Sequence, residues 1–466
     1  MTRPLIYNAF VTNNLSHIHH GAWRRPTSQN LGYNDLATWI SLATTLDAGG
    51  FDAIFFADTF GAMEDHSGGW RTSARHSVQF PAGDPLMLVP AMAAATRNLG
   101  FVVTGSILAQ QPYLWARTVS TLDHLTNGRF GWNVVTSTRR SEARALGLDD
   151  IPSHADRYAQ AQEFLEITYK LWETSWQDDA VSSDPRAEGR YLDESKVHEI
   201  HHRGARYRMD AVHQQPPSPQ RTPVIFQAGG SPIGRDFAAR HAEGTFIAGH
   251  DPASATAAIT DIRARARAHG RPDDDIRFIQ GMTFVVGSTE EEARRLSSEV
   301  DDDLDNEAML AHMSGTIGLD LGAIDLDAPF EEFTSDRTQG VIRGLVESAP
   351  GTPKTFRDLS RWAWSQRVVG TPETIADEIG RWAAAGVDGL NIIHIETPGT
   401  YVEFIDHVAP VLRARGLMRA APAAAASAGA ETTDDAAPVT LRERLFPGRG
   451  ARLPASHPAR AVLTSP

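Results

Sequence analysis

Eight short apolar runs recur along the chain, each closing on polar or glycine-containing turns. They are LIYNAFV at 5–11, FDAIFFAD at 51–58, LGFVVTGSIL at 99–108, FGWNVVTS at 130–137, PVIFQAGG at 223–230, GTFIAG at 244–249, IRFIQGMTFVVG at 276–287 and GLNIIHIE at 389–396. Stretches with helical spacing separate them, among them Leu36–Leu46, the segment around Leu86–Thr96 and WARTVSTLDHLTNG ahead of Phe130. Runs so continuously rich in Val, Ile and Phe predict strands buried on both faces, the habit of parallel sheets. Their alternation with helices predicts a wound α/β fold. Eight such units predict a TIM-like (β/α)8 barrel rather than an open doubly wound sheet.

Two stretches exceed a minimal barrel. One spans about 175–222 and ends in the Pro-rich QQPPSPQRTP; the other spans about 300–366 and contains DDDLDNEAML. A barrel carries such insertions on its βα loops, where they shape or cover a site; plain packing or oligomer contact is the alternative role. The barrel with its insertions is expected to occupy 1–419. Beyond it, an Ala-rich low-complexity stretch at 420–438 reads as a linker, and TLRERLFPGRGARLP within 439–466 reads as a C-terminal arm with a short docked helix.

Chemistry in a βα barrel sits at the C-terminal ends of the strands, and polar groups collect there. The second run ends in Asp58, the third carries Thr104 and Ser106, the fourth carries Asn133, Thr136 and Ser137, and the fifth ends in Gln227-Ala-Gly-Gly-Ser231. Asn133 stands out, because a buried amide without partners costs about 1–3 kcal/mol. Alternation along a barrel strand sends Trp132 and Val134 outward and Gly131, Asn133 and Val135 inward. For Asp58 alone a helix cap is an equal reading, and Thr104 and Ser106 alone could bond neighbouring backbone.

Two helix starts have the features of an anion site. In Gly229-Gly230-Ser231-Pro232 the serine is a favoured N-cap and the proline a favoured first helical residue, and open amides at the positive end of the dipole suit a phosphate. In Ser153-His154-Ala155-Asp156-Arg157-Tyr158 the S-x-x-D spacing predicts a second capped helix, with His154 and Tyr158 on one face of its first turn. A capped helix without ligand is the alternative at the first start, and ordinary surface roles at the second.

Composition narrows the chemistry. The 466 residues contain no cysteine, which excludes disulfides, thiolate nucleophiles and Cys-ligated metals. Lys and Arg number 44 against 58 Asp and Glu, a net charge of −14, which argues against nucleic acid or an anionic membrane as the main partner. No apolar run approaches the ~18 residues of a membrane span and no secretory leader is evident, so a cytoplasmic protein is expected. His17, His19 and His20, like His198, His201 and His202, lack the spacing of a metal site, and no bound metal is expected. The acidic runs Asp273–Asp275 and Asp301–Asp303 read as solvated surface. Nucleophile-elbow, Walker A and GxGxxG signatures are missing.

Several segments resemble one family in order and spacing: HGAWR at 20–24, FADTF at 56–60, TLDHLTNGRFGWNVVTS at 121–137, HADRYAQAQEFLE at 154–166, QAGGSPIGRDFAA at 227–239, GTPETIADEI at 370–379 and DGLNI at 388–392. The chain is similar to the bacterial-luciferase-like flavin monooxygenases, most closely their nitrilotriacetate and dibenzothiophene-sulfone branch, from Tyr7 to Gly416. The resemblance implies a barrel holding reduced FMN, supplied by a separate NAD(P)H:flavin reductase, and oxygenation of a small organic substrate with O2 through a C4a-(hydro)peroxyflavin. Aminopolycarboxylates, organosulfur compounds and other xenobiotic-like molecules are candidate substrates. It places Asp58, Thr104 and Asn133 beside the flavin ring and its polyol chain, and His154, Tyr158, Gly230 and Ser231 around the tail and phosphate. A homodimer or homotetramer is implied. Two departures bear on substrate: Ala109 stands where relatives often carry tyrosine, and Thr316 stands in SGTIGLD where sulfone-oxidising relatives carry histidine, with His312 nearby but out of register. A non-catalytic flavin-binding protein and a deazaflavin-dependent oxidoreductase are the alternatives on this barrel.

Overall fold

The computed structural model describes residues 3–247, 249–329, 355–358, 366–421 and 439–461. Eight parallel strands follow one another around a closed barrel: β1 Ile6–Val11, β2 Ala53–Phe56, β3 Gly100–Ser106, β4 Phe130–Val135, β5 Val224–Gln227, β6 Gly244–Ile247, β7 Arg277–Met282 and β8 Gly389–Ile393. The ring closes where β8 pairs with β1, Ile6 opposite Gly389 and Phe10 opposite Ile393. All eight expected runs contain a barrel strand. The seventh run divides, however. Its first half is β7, whereas Phe284–Val286 leaves the barrel and pairs with Val368–Gly370. An apolar run read along the chain carries no mark of which sheet it joins.

Alternation orients β4 as its residue pattern predicts. Trp132 points outward, its ring 5.3 Å from that of Trp115 and 5.8 Å from Phe164, with Nε1 donating to the Gly105 carbonyl at 3.0 Å. Gly131 faces inward, where a Cβ would stand 3.0 Å from Leu441. That contact reveals what fills the barrel floor. Leu441, Leu445 and Phe446 of the C-terminal arm cluster with Ile6, Ala53, Val102, Val224 and Ile279 inside the strands. Arg442, one residue along, is buried and donates to both carboxylate oxygens of Glu243, at 2.6 and 2.8 Å. Of Asp273–Asp275, expected to be solvated, Asp273 and Asp274 are exposed, but the arm buries Asp275, which is bonded by Arg449 at 2.6 Å and Ser456 at 2.6 Å.

Of the first insertion, Ile200–Arg203 and Arg208–Ala211 form an antiparallel hairpin. Glu163, on the helix His154–Tyr169, ties it down by accepting from the Tyr207 amide at 2.8 Å and from His202 at 3.1 Å. His201 pairs with Asp210 across the hairpin at 2.7 Å, so each histidine has a carboxylate partner. In the second insertion the helix Asn306–Ile317 is described, while 330–354 and 359–365, like the linker 422–438, lie outside the described residues. No helix among the described residues is long and apolar enough to cross a membrane.

Candidate active site

Three strand ends bring Asp58, Thr104 and Asn133 to the C-terminal mouth. Thr104 and Asn133 are register partners on β3 and β4, so their side chains share the inner face. The Asn133 Nδ2 donates to Thr104 Oγ1 at 2.9 Å, and Thr104 donates onward to the Phe56 carbonyl at 2.8 Å. Asn133 Oδ1 is buried and accepts no hydrogen bond among the described residues. A buried acceptor left open in this way is costly unless a ligand satisfies it. Asp58, two residues past β2, accepts from the amide of Thr59 at 2.9 Å. Burial pushes its carboxyl up to about 7, against the Thr59 amide and the Arg139 guanidinium, which hold it down.

The second group lies beyond β5. Ser231 caps the helix Pro232–His241, its side chain accepting from the Gly234 amide at 3.1 Å, with Pro232 in the first turn. Ser153 caps the helix His154–Tyr169 in the same way, accepting from the Asp156 amide at 3.2 Å. The two helix starts meet. Ser231 Oγ lies 3.3 Å from His154 Nε2, the His154 and Tyr158 rings are 5.1 Å apart, and Gln227 Nε2 donates to the Tyr158 hydroxyl at 3.3 Å. Gly229 and Gly234 clear the space the Tyr158 hydroxyl occupies, since a Cβ on either would stand 2.9 or 2.7 Å from it. Gly230 opens outward, with no heavy atom within 4 Å of where a Cβ would lie. Gln227 Oε1 is a second buried acceptor without a hydrogen bond among the described residues. Burial raises the Tyr158 phenol, and burial together with Arg157 lowers His154, which favours its neutral form.

A third group was not legible in the sequence. His20 Nε2 lies 2.8 Å from His312 Nδ1, and Ser16 Oγ is 2.7 Å from His20 Nδ1. His312 therefore stands beside His20, while Thr316, one helical turn further on, is exposed and donates to the His312 carbonyl. Phe10 stacks on Phe246 with ring centroids 5.7 Å apart and meets His17 at 5.0 Å. Burial holds His312 and His394 down at about 4 and His17 and His20 well below the usual range. Burial thus favours the neutral form of each of these imidazoles. No cluster of three or more metal-ligating side chains with a geometry to hold an ion occurs among the described residues. A local sequence signal for His312 was lacking, because its partner is 292 residues away.

The described residues thus combine buried open amide acceptors at strand ends, two capped helix starts in contact beyond β5, and an imidazole pair at His20 and His312. Residues 14–389 match the model of the luciferase-like monooxygenase family, and the chain belongs to that family. Similar relatives include the dimethyl-sulfide monooxygenase of Hyphomicrobium sulfonivorans, 39% identical over 98% of this chain and 94% of the relative. The long-chain alkane monooxygenase of Geobacillus thermodenitrificans is 40% identical over 98% of this chain and 97% of its own length. Nitrilotriacetate and dibenzothiophene-sulfone monooxygenases, the branch expected from the motifs, are also among the relatives, at 33% and 34% identity. Among solved structures, a riboflavin lyase crystallised with modified FMN and riboflavin superposes with a TM-score of 0.88 at 34% identity, over 98% of this chain and 99% of that one. The protein is a flavin-dependent monooxygenase.

Proposed function

We propose that this chain is the oxygenating component of a two-component system, taking reduced FMN from a separate NAD(P)H:flavin reductase and using O2 to oxygenate a small, uncharged, largely apolar organic compound. The observation that carries the reading is the pairing of open, buried acceptors at Asn133 and Gln227 with the doubled helix start at Ser231 and His154. FMN carries N–H donors on its isoalloxazine ring and a phosphate at the end of its ribityl chain, the partners that open buried acceptors and a pair of helix starts can take, so the residues present fit FMN. Asp58, Thr104 and Asn133 would hold the ring side, and His154, Tyr158, Gly230 and Ser231 the phosphate. Bound reduced FMN supplies the O2 chemistry.

The protein's part is positioning and exclusion of water. Thr104 fixes the Asn133 amide so that its carbonyl faces the pocket. Phe10 and Phe246, stacked on one another, are the apolar groups such a pocket would offer. Both ring nitrogens of His20 are engaged, by Ser16 and His312, so of the pair it is His312, held uncharged by burial, that can give or take a hydrogen bond without placing a full charge beside the substrate. An uncharged substrate accords with that lining and with relatives named for dimethyl sulfide and long-chain alkanes. A homodimer or homotetramer in the cytoplasm belongs to the same proposal.

The test mixes the purified protein, loaded anaerobically with photoreduced FMN, with oxygenated buffer and follows the flavin absorbance. Sulfides, alkanes, sulfones, sulfonates and aminopolycarboxylates are then screened for label from ¹⁸O2. Failure to bind reduced FMN at micromolar concentration overturns the reading. Tight binding with no oxygen adduct would leave a flavin-binding protein, and preference for a deazaflavin would leave a hydride-transferring oxidoreductase.

A further inference from the structure

Glu142 is a buried carboxylate with no part in the site as described so far. It lies in the short helix Arg140–Ala145 that follows β4, and its Oε1 accepts from Ser137 Oγ at 2.5 Å and from Ser106 Oγ at 3.0 Å. The two hydroxyl oxygens are themselves 2.6 Å apart. Ser106 is the last residue of β3, two beyond Thr104, and Ser137 lies four beyond Asn133. One carboxylate oxygen therefore joins the ends of the two strands whose inner faces carry the Thr104–Asn133 pair.

The same helix start also seizes the loop after β2. Ser141 Oγ donates to the Ala62 carbonyl at 2.7 Å, and Arg139 donates to the Gly61 carbonyl at 3.1 Å. Gly61 has φ +72°, and a Cβ there would stand 2.5 Å from Ser141 Oγ and 2.8 Å from the Glu142 amide. Asp58 is three residues upstream of that contact. Ser137 is held at φ +60°, a left-handed conformation that is unfavourable for a side-chain-bearing residue. Something must hold it there, and the 2.5 Å bond to Glu142 is the contact placed to do so. The Leu108 and Ala109 amides complete the arrangement by donating to Ser106 Oγ at 3.2 and 3.4 Å.

We propose that Glu142 is a positioning residue for the flavin: through Ser106 and Ser137, it sets the relative placement of the two strand ends that carry Thr104 and Asn133. The inference rests on the FMN reading above, but makes a separate claim about one side chain that touches none of the cofactor groups. Buried hydrogen-bond partners of this kind orient the groups in direct contact with a ligand, and at metal sites their loss costs about 10- to 100-fold.

The test is FMN affinity, measured by flavin fluorescence quenching, in E142A, E142Q, S106A and S137A, with thermal unfolding of each apoprotein recorded alongside. E142A is expected to weaken FMN about 10-fold. E142Q, which keeps the shape and the hydrogen-bonding capacity, is expected to stay within about 3-fold of wild type, and the two serine variants to fall between. A structural role alone would lower the unfolding temperature and leave affinity unchanged in all four variants, which would overturn the proposal. E142Q as weak as E142A would also overturn it, since charge rather than placement would then be at work. Should E142A fail to fold, the single serine variants carry the test, because each removes one contact and keeps the carboxylate: weakened FMN supports the proposal and unchanged FMN overturns it. Wild-type protein that does not bind FMN brings down the functional reading itself, and this inference with it; wild-type binding with unaffected variants brings down this inference alone.

Discussion

Ser231 Oγ and His154 Nε2 stand 3.3 Å apart, although 77 positions separate them in the chain. Each residue belongs to the start of a different helix, and the contact brings the two helix starts together. A phosphate placed between them would meet the open amides and positive dipole ends of both.

Removing single groups from this point should weaken FMN binding without unfolding the protein. Tyr158→Phe deletes only a hydroxyl that Gln227 already orients, and Ser231→Ala deletes a hydroxyl and a cap. Hydrogen bonds to charged groups are worth about 1.5–3 kcal/mol, so each variant should raise the Kd for FMN about tenfold or more. Equilibrium titration of the fluorescence measures it. Ser231→Ala should also lower stability by about 1 kcal/mol through the lost cap, whereas Tyr158→Phe should not. Unchanged affinity in both would remove the phosphate assignment.

Gly234→Ala should act on the same site from behind. The added methyl would stand 2.7 Å from the Tyr158 hydroxyl and 2.9 Å from the Gly229 Cα. One contact is the tip of a side chain and the other is backbone, so the phenol must swing away. FMN affinity should fall to about that of Tyr158→Phe, and combining the two substitutions should cost less than the sum of their separate effects, as expected of residues in contact. A double-mutant cycle on Kd reads this directly.

Asp58 should make the protein sensitive to pH near neutrality. Its carboxyl titrates at about 7 in the folded protein, raised chiefly by burial, against roughly 3.9 in an unfolded chain. With the folded value the higher, the proton is held more tightly by the folded state. The stabilisation is complete below about pH 4 and is lost as pH rises through about 7. Wild-type unfolding temperature, relative to Asp58→Asn, should therefore decline from pH 5 to pH 8. FMN is an anion, so its affinity should weaken over the same interval as Asp58 ionises, and Asp58→Asn should abolish that slope. A parallel pH dependence in both proteins would show that another group is responsible.

What the sequence displayed and what it concealed divide along contact distance. The eight strands were visible because strands of a parallel barrel are buried on both faces and so read as unbroken apolar runs. The caps at Ser153 and Ser231 were visible because a cap and the amide it accepts from lie three residues apart. The inward turn of Asn133 followed from alternation alone. By contrast, His20–His312 and Glu142–Ser106 join residues 292 and 36 positions apart, and neither partner sits in a local pattern that demands the other. The departure of Phe284–Val286 from β7 was hidden for a related reason: the residues suit a buried strand in either sheet. The Ala-rich segment concealed the largest item, since nothing in TLRERLF shows that its leucines belong inside a barrel whose first strand begins over 400 residues earlier.

That arm should carry a large part of the fold's stability. Arg442 and Glu243 are each almost wholly buried, and the guanidinium also donates to the carbonyls of Thr222 and Ala451 at 2.9 and 2.6 Å. Breaking a buried pair by removing one member leaves the other charge without compensation, at a cost of about 3–5 kcal/mol. Arg442→Ala should destabilise by that order in denaturant unfolding, and Arg442→Met with Glu243→Leu should recover much of the loss, because an apolar pair of similar volume carries no desolvation cost. Leu441→Ala opens a void among Gly100, Gly131 and Val102, whose shapes are fitted to that leucine, and should cost about 2–5 kcal/mol. FMN affinity of the folded fraction should stay near wild type in all of these variants, since the arm closes the floor of the barrel and the residues proposed to hold FMN lie at its opposite end. A variant that lost FMN binding while still folded would place the arm's influence at the mouth and contradict that separation.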